Sequence, residues 1–483
     1  MSGARKFLPA VLLALLSGCT VGPSYHPPAI KAATQWSSPL AGGETGGSAS
    51  IALWWKNFHD PELDLLIDRA IQSNLDLRIA TARVREARAQ YKVIYADLGP
   101  SLETSGSYQR QLESKHQPIL GAIPLPGNIP FENNVYQAGF DAAWEIDVFG
   151  GTRRAVEAAK TDVAAAEYGR RATLVSLLGE VARYYVEARG SQQRLAIASR
   201  NIDAQQAIVE LTRSQFKGGL TSDLDVQQAS ALLATTKAQV PALETSFKEA
   251  AHRLGVLLGQ SPGALLEELS RVAPIPGAPP EVPVGLPSAL LRRRPDIQQA
   301  ERDLAGATAR IGVAVADLYP KFSLTGDIGL QSVSTSDWFS SGSRFWSAGP
   351  TVQWKIFEAG RIKANIRVQN TREEQALAHY EQTVLASFED VENALTAYAK
   401  EQTRRQSLAD AVEANQQAVE IAGQLYRNGL VDFLRVLDSQ RALFESQDAL
   451  VQSEHTVALN LVKLYKALGG GWESLEGGAV HRS

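Results

Sequence analysis

The residues able to do chemistry are sparse, and their spacing does not suit catalysis. The 483-residue chain has seven histidines, His26, His59, His116, His252, His379, His455 and His481, scattered with no HExxH arrangement. There is no GxSxG elbow, no P-loop and no pair of cysteines to share a metal. No catalytic site, metal site or cofactor is expected. Net charge is −4 and charged residues are 21%, so no basic field argues for nucleic acid. The run Arg292-Arg293-Arg294 precedes a helix start at Pro295-Asp296 and reads as a solvated charge run. A second charged group, Asp432, Arg435, Asp438 and Arg441, stands where a long helical pattern begins. Taken alone it is an ordinary solvated helix face. The remaining candidate is Cys19, the only thiol in the chain.

Cys19 ends a sequence of charge, apolar run and small residues: Arg5-Lys6, then 7–16, then Leu16-Ser17-Gly18-Cys19. Residues 1–18 are thus expected to be a secretory signal, since the apolar run is too short to span a bilayer. Leu-Ser-Gly-Cys resembles the bacterial lipoprotein box, which implies that Cys19 is diacylated, palmitate included, and becomes the first mature residue. Thr20 in the following position implies outer-membrane sorting. Acyl chains contribute about 0.8 kcal/mol per buried CH₂, so several anchor firmly. Residues 19–58 then form a lipid-anchored arm, rich in Pro, Gly and Ser.

The elements that must position these groups are written twice. Val226, Leu233, Val240, Phe247 and Leu254 recur at intervals of seven, and Val436, Leu443, Leu450, Val457 and Leu464 repeat them 210 positions later. A heptad ladder marks a helix that supercoils against neighbours. Upstream, Ala96-Asp97-Leu98-Gly99-Pro100 matches Ala316-Asp317-Leu318-Tyr319-Pro320 at an offset of 220. The repeats are assigned to 59–269 and 288–469, joined by the Pro-dense linker 270–287, with a tail at 470–483. Each repeat has a helix of about 23 residues, two strands, a proline-free run of about 60 residues, and the heptad helix of about 37. Sixty residues at 1.5 Å give roughly 90 Å. Leu174, Leu178, Val181 and Tyr185 show the spacing of a buried stripe. Pro241 is expected to interrupt and kink the first heptad helix.

The strands, placed at about 101–112, 134–148, 320–332 and 345–357, alternate with period two. Phe322, Leu324, Gly326, Ile328 and Leu330 alternate with Ser323, Thr325, Asp327, Gly329 and Gln331; Phe140, Trp144 and Ile146 alternate with Asp141, Glu145 and Asp147; Val352, Trp354 and Ile356 alternate with Thr351, Gln353 and Lys355. The stretch 102–109 is weaker. One apolar face opposite one polar face is what a barrel wall between lipid and water requires, and also what a soluble sandwich shows. Trp144 and Trp354, equivalent under the 210 offset, suit either an interfacial belt or strand packing. Four strands cannot close a barrel, and an open sheet in lipid leaves backbone groups unpaired at several kcal/mol each. A dimer supplies eight strands and a trimer twelve; only twelve leave a lumen, which favours the trimer for a conduit.

The order of elements, the duplication, Arg294-Pro295-Asp296, Ala316-Asp317-Leu318-Tyr319-Pro320, and Gly429-Leu430 with Val436-Leu437-Asp438 resemble the TolC/OprM outer-membrane factor family. Cys19-Thr20-Val21-Gly22-Pro23, then Tyr25 and Pro27-Pro28, looks like its NodT-type lipoprotein branch. The resemblance implies a mainly α fold with a transmembrane β-barrel: a homotrimer with a 12-stranded outer-membrane barrel on a 12-helix periplasmic coiled-coil tunnel. It implies a passive gated duct for small molecules in a tripartite efflux system, working with a periplasmic adaptor of the membrane-fusion type and an inner-membrane pump of RND type. The alternatives are the exit duct of a type I protein-secretion system, or a lipid-anchored coiled-coil scaffold with no pore. By the same resemblance a ring of aspartates narrows the periplasmic tip. That carries over to Asp438 with Leu434, Arg441 and Arg435, Asp432 being adjacent; Gln228 stands where copy one would carry the charge. Family members can carry a second Asp where this chain has Arg435, so Asp–Arg pairing is the other way to lock the tip. Gly218-Gly219 and Asn428-Gly429, which end the long helices at tight turns, are implied as the places where an adaptor hairpin docks.

Overall fold

The computed structural model describes residues 20–29, 35–37, 44–45, 51–112, 114, 132–277, 279 and 282–473. The signal, Cys19, parts of the arm, most of the 113–132 loop and the last ten residues lie outside them. The chain divides into two compact units, one built from Met1–Pro28, Arg85–Ala165 and Glu301–His379, the other from Ala29–Val84, Ala166–Ala300 and Tyr380–Ser483.

The duplication appears as elements of matching length. Helix α1 (Pro61–Ser73) is followed by α2 (Leu75–Ala96, 22 residues), α3 (Gly151–Lys217, 67 residues) and α4 (Asp223–Leu257, 35 residues). The second repeat gives α5 (Pro287–Arg293), then α6 (Pro295–Ala316), α7 (Arg361–Arg427) and α8 (Phe433–Ala467), of 22, 67 and 35 residues. The 67-residue helices, each about 100 Å long, exceed the expected run because they start immediately after the strand pairs. Helix α4 runs through Pro241 without interruption, contrary to expectation. Proline removes one backbone donor, but 34 further residues and a packed face hold the helix on both sides of it.

Local chemistry explains the ends. The Asp60 carboxylate accepts from the backbone N–H of Glu62 at 3.0 Å and Leu63 at 3.1 Å, and Pro61 occupies the first turn where no donor is missed. Asn74 serves two helices: its side-chain oxygen accepts from Leu77 N–H and its amide donates to Leu257 O, both at 2.9 Å. The repeat counterpart of Asn74 is Arg294, and here a sequence expectation fails. Arg294 is not a solvated charge. Its side chain is 12% exposed and bridges Asp296 at 2.7 Å and Asp390 at 3.1 Å, while donating to Ala467 O at 3.0 Å. Burial acts to lower its pKa, but the facing Asp296 and Asp390 carboxylates outweigh that and hold it above its ordinary value. Sequence could not show that α8 ends beside it.

The second unit holds the main core. Leu174, Leu178, Val181 and Tyr185 are fully buried, as their spacing requires, and pack with Trp54, Leu63, Leu254, Tyr398, Leu464 and Tyr465. Trp54 stacks on Tyr465 at 5.3 Å between centroids. The arm and the linker contribute a two-stranded parallel sheet, β1 (Glu44–Thr45) with β4 (Val282–Pro283).

The first unit holds the four-stranded antiparallel sheet: β2 (Ser101–Leu112), β3 (Glu132–Ile146), β5 (Lys321–Ser332) and β6 (Arg344–Gln353), in the order β2-β3-β5-β6. β2, the weakest strand by sequence, pairs along its whole 12-residue length. β6 ends at Gln353, four residues short of the expected 357, so Trp354 and Ile356 fall outside it. The segment after residue 19 is clasped to this unit. Val21 N–H donates to Phe149 O at 3.1 Å, and Arg154, 5% exposed, donates to Val21 O at 3.2 Å. Gly22 backs onto Gly312 so closely that a Cβ there would sit 2.5 Å from the Gly312 Cα.

Candidate functional site

Two places carry function: the sheet in the first unit and the turns between long and heptad helices in the second.

In the sheet, period-two sequence becomes rows across strands. Thr104, Phe140, Ile328 and Trp346 form one row; Trp144, Leu324 and Pro350 another; Ile146, Phe322 and Val352 a third. The large apolar members are exposed rather than packed: Phe140 53%, Ile328 61%, Trp346 76% and Val352 59%. The intervening rows are polar, with Glu103, Asp141, Asp327 and Ser347 in register. Asp141 accepts from Ser105 at 3.2 Å, and Asp327 accepts from Ser347. A soluble sandwich would cover the apolar face with a second sheet. Among the described residues nothing covers this one, so it fits hydrocarbon on one face and water on the other. No helix of the described residues is long and apolar enough to cross a membrane. Trp144 and Trp354 are both exposed, and each indole N–H is tied to a turn carbonyl, Leu98 O at 2.9 Å and Leu318 O at 3.0 Å. The two bonds are repeat counterparts, and they hold a polar group at the end of an apolar face, as an interfacial tryptophan does.

At the helix ends the two turns are the same structure. Gly219 has φ +72° and Gly429 φ +71°. Leu220 N–H bonds Gln215 O and Leu430 N–H bonds Leu425 O, both at 2.9 Å, the six-to-one bond of a Schellman cap. A Cβ on either glycine would meet nothing, so the left-handed backbone alone demands glycine. Helix starts differ: Asp432 accepts from Arg435 N–H at 3.2 Å, whereas in copy one Asp225 reaches back to Ser222 N–H at 3.2 Å and accepts from Thr221 at 2.5 Å. The Thr221 hydroxyl is the main reason the Asp225 carboxyl lies below its ordinary pKa. Tyr426 donates to Gln215 at 2.7 Å, joining the copies, and Val209, Phe433, Val436 and Leu437 pack behind it.

Each expected tip residue has a definite place. Val436 and Leu437 are buried, while Leu434, Arg435, Asp438 and Arg441 are exposed. Leu434, Asp438 and Arg441 share one stripe of α8 by spacing. Asp438 forms no ion pair with Arg435 or Arg441 within the chain. The turns also present four exposed leucines at counterpart positions, Leu220 81%, Leu224 64%, Leu430 69% and Leu434 46%. Sequence reading gave Leu220 and Leu224 no role. The signal was there: large apolar residues flanking a turn glycine with no heptad place to bury them.

Sequence reading also missed Arg189. Its side chain is fully buried on α3, pairs with Glu62, and donates to Gln192 at 2.7 Å and Arg271 O at 2.8 Å. Nothing in sequence distinguishes it from a surface arginine of the same helix. A cleft of about 500 Å³ is bordered by Ser176, Arg294, Asp296, Asp390, Lys463 and Lys466. No group of acidic, histidine or cysteine residues among those described is arranged to hold a metal.

The profile of the family described as "Outer membrane efflux protein" matches residues 66–260 and 286–470, once for each repeat. The chain belongs to the outer membrane efflux protein family. Nodulation protein T of Rhizobium leguminosarum bv. trifolii is 31% identical over 458 residues, covering 95% of this chain and 96% of its own length. The probable efflux pump outer membrane protein TtgC of Pseudomonas putida is 34% identical over 475 residues, covering 97% and 96%. The solved outer-membrane channel OprN superposes with a TM-score of 0.87 at 37% identity, covering 94% of this chain and all of that one. The exposed apolar rows are accordingly the wall of an outer-membrane channel, and this efflux protein lies in the outer membrane. The profile leaves 261–285 unmatched.

Proposed function

We propose that three copies of this chain form a passive duct that carries small molecules from a periplasmic adaptor and an RND-type inner-membrane pump through the outer membrane. The observation that carries it is a four-stranded sheet with an uncovered apolar face and two free edges. Backbone groups at a free edge in lipid cost several kcal/mol each, so the edges must be joined. Twelve strands leave a water-filled lumen where eight would be filled by side chains. A diacylated Cys19 anchors the chain to the membrane; the residue after it, Thr20, packs against Gly150, past the end of β3.

The helix tips form the gated end. Three Asp438 carboxylates drawn to a common axis repel one another unless paired, and pairing with Arg435 or Arg441 would come from a neighbouring copy, since none exists within the chain. The turns at Gly218-Gly219 and Asn428-Gly429, with their exposed leucines, present an apolar surface to the adaptor. Selection of cargo belongs to the pump, because a wide aqueous lumen carries little substrate code. Single-channel recording in planar bilayers tests the reading. Wild-type protein conducts weakly, and Asp438→Ala raises the conductance. An unchanged value removes the aperture role; silence from both proteins removes the duct.

A further inference from the structure

One residue is out of keeping with the polar side of the sheet. Ile328 pairs with Trp346 on the apolar face, and Gly329 pairs with Phe345 in the next position, so Phe345 stands on the other face. Of the residues that the four strands turn to that face, Phe345 alone is aromatic. Its row runs Ser105, Gly139, Gly329 and Phe345, so β3 and β5 offer it bare backbone. The ring fills the space of a missing side chain: a Cβ on Gly329 would lie 2.9 Å from Phe345 Cε1. A Cβ on Gly139 would lie 2.8 Å from Ile328 O, so that position stays bare too. The ring therefore lies against the wall and is partly buried, where Trp346 on the apolar face is 76% exposed. We propose that Phe345 is a contact for flat aromatic cations passing through the lumen. This rests on the trimeric duct proposed above, which makes the polar face the lumen wall, and it names a residue that cargo touches there.

An aromatic ring in a polar wall offers a solute two things. It gives apolar area, and the negative face of its π system attracts cations. The neighbouring row sets the sign of the charge. Asp327 is the diagonal neighbour of Phe345 across the β5–β6 pair, roughly 7 Å away by strand geometry, and Asp141 stands opposite Asp327. Lys321, the one cation that the strands turn to this face, stands three rows further on and is paired with Glu145 at 3.7 Å. A flat cation can stack on the ring with its charge toward Asp327, whereas an anion meets a carboxylate. Twelve tilted strands enclose a lumen about 24 Å across at the backbone. Three such contacts therefore delay a solute without closing the path, and they do not replace selection at the pump. The competing role is structural, since an aromatic side chain laid over glycines steadies their strands. Leucine separates the two roles, because it gives the glycines apolar cover without a π face.

Photolabelling of the full-length lipoprotein in lipid nanodiscs tests the contact. The probe is ethidium monoazide, a flat aromatic cation, and the readout is label on the tryptic peptides 322–344 and 345–355 by mass spectrometry. Wild type is labelled there. Phe345→Leu lowers the labelling about threefold at subsaturating probe, the loss expected for one cation–π contact. Phe345→Tyr keeps it, and Trp346→Leu, on the opposite face, leaves it unchanged. Excess ethidium suppresses the label, and excess tetramethylammonium, which has no ring, does not. Absence of label from both peptides, or equal labelling of wild type and Phe345→Leu, overturns the contact. Cysteines on the two faces keep the duct reading separate. A water-soluble thiol reagent modifies Ser347→Cys and spares Ile328→Cys when one face lines a lumen and the other meets lipid. That pattern together with labelling independent of Phe345 overturns the contact and leaves the duct standing. Modification of both cysteines overturns the duct and the contact with it.

Discussion

Replacing Arg189 with methionine tests the buried grip on the inter-repeat linker. Arg189, Gln192 and Gln193 lie on one stretch of α3 and hold the linker backbone. Arg189 donates to Arg271 O at 2.8 Å, Gln192 to Leu269 O at 2.5 Å and Gln193 to Ala273 O at 3.0 Å. The guanidinium also pairs with Glu62 and lies 5.0 Å over the Tyr185 ring, whose hydroxyl donates to Asp60 at 2.8 Å. Methionine fills most of the volume but removes every donor. Breaking a fully buried ion pair costs about 3–5 kcal/mol. Here the Glu62 side chain is 30% exposed and Arg271 is exposed, so water recovers part of that. About 2–3 kcal/mol remains, borne by Gln192 and the linker. Trypsin cleavage after Arg271 reads this as local opening. When reclosing outpaces cleavage, 2–3 kcal/mol corresponds to roughly a 30- to 150-fold faster cut. Gln193→Ala, which loses one hydrogen bond worth about 1 kcal/mol, gives roughly a fivefold change. Glu62→Gln added to Arg189→Met recovers part of the loss, because the orphaned group then carries no charge. A threefold change or less for Arg189→Met, with Gln193→Ala equal to it, would refute the grip.

Three further outcomes are expected. Gly190→Ala places a Cβ 2.7 Å from the His455 ring, an overpacking worth about 1–3 kcal/mol, so the thermal midpoint falls and His455→Ala in the same chain restores it. Burial, and then Arg194, hold the His455 pKa below 6.5, so the unfolded chain takes up that proton first; stability from this group is full above the ordinary histidine pKa and is lost as pH falls below it, and melting of His455→Gln between pH 7.5 and 5.5 should lose that component while the wild type keeps it. Gly219→Ala or Gly429→Ala forces alanine into a left-handed turn at about 1 kcal/mol, and amide exchange at Leu220 or Leu430 should accelerate roughly fivefold, whereas no change would mean the turn relaxes.

The strands show where local pattern suffices and where it fails. Alternation placed β2 and β5 to within a residue, because side chains in a strand must choose one of two faces. It carried β6 too far, since period two runs on through Trp354 and Ile356 after the pairing with β5 has ended at Gln353. The tip residues were legible as a helix start with mixed charge, but their exposure depends on which helix face packs against its neighbours. Arg294 was misread for the same reason: its partners Asp390 and Ala467 lie far away in the sequence.

Sequence alone carried the duplication, the order of the elements, the turn glycines and the two-faced strands. Each of these follows from backbone sterics or from a period within a few residues, and both act before any distant contact forms. Tertiary structure decided which charges are buried, with Arg189 and Arg294 inside and Asp438 outside, and it decided that the sheet has two open edges. Those outcomes depend on which groups from distant parts of the chain meet in space. Burial then sets the worth of a charge, and an unpaired strand edge sets the need for a partner.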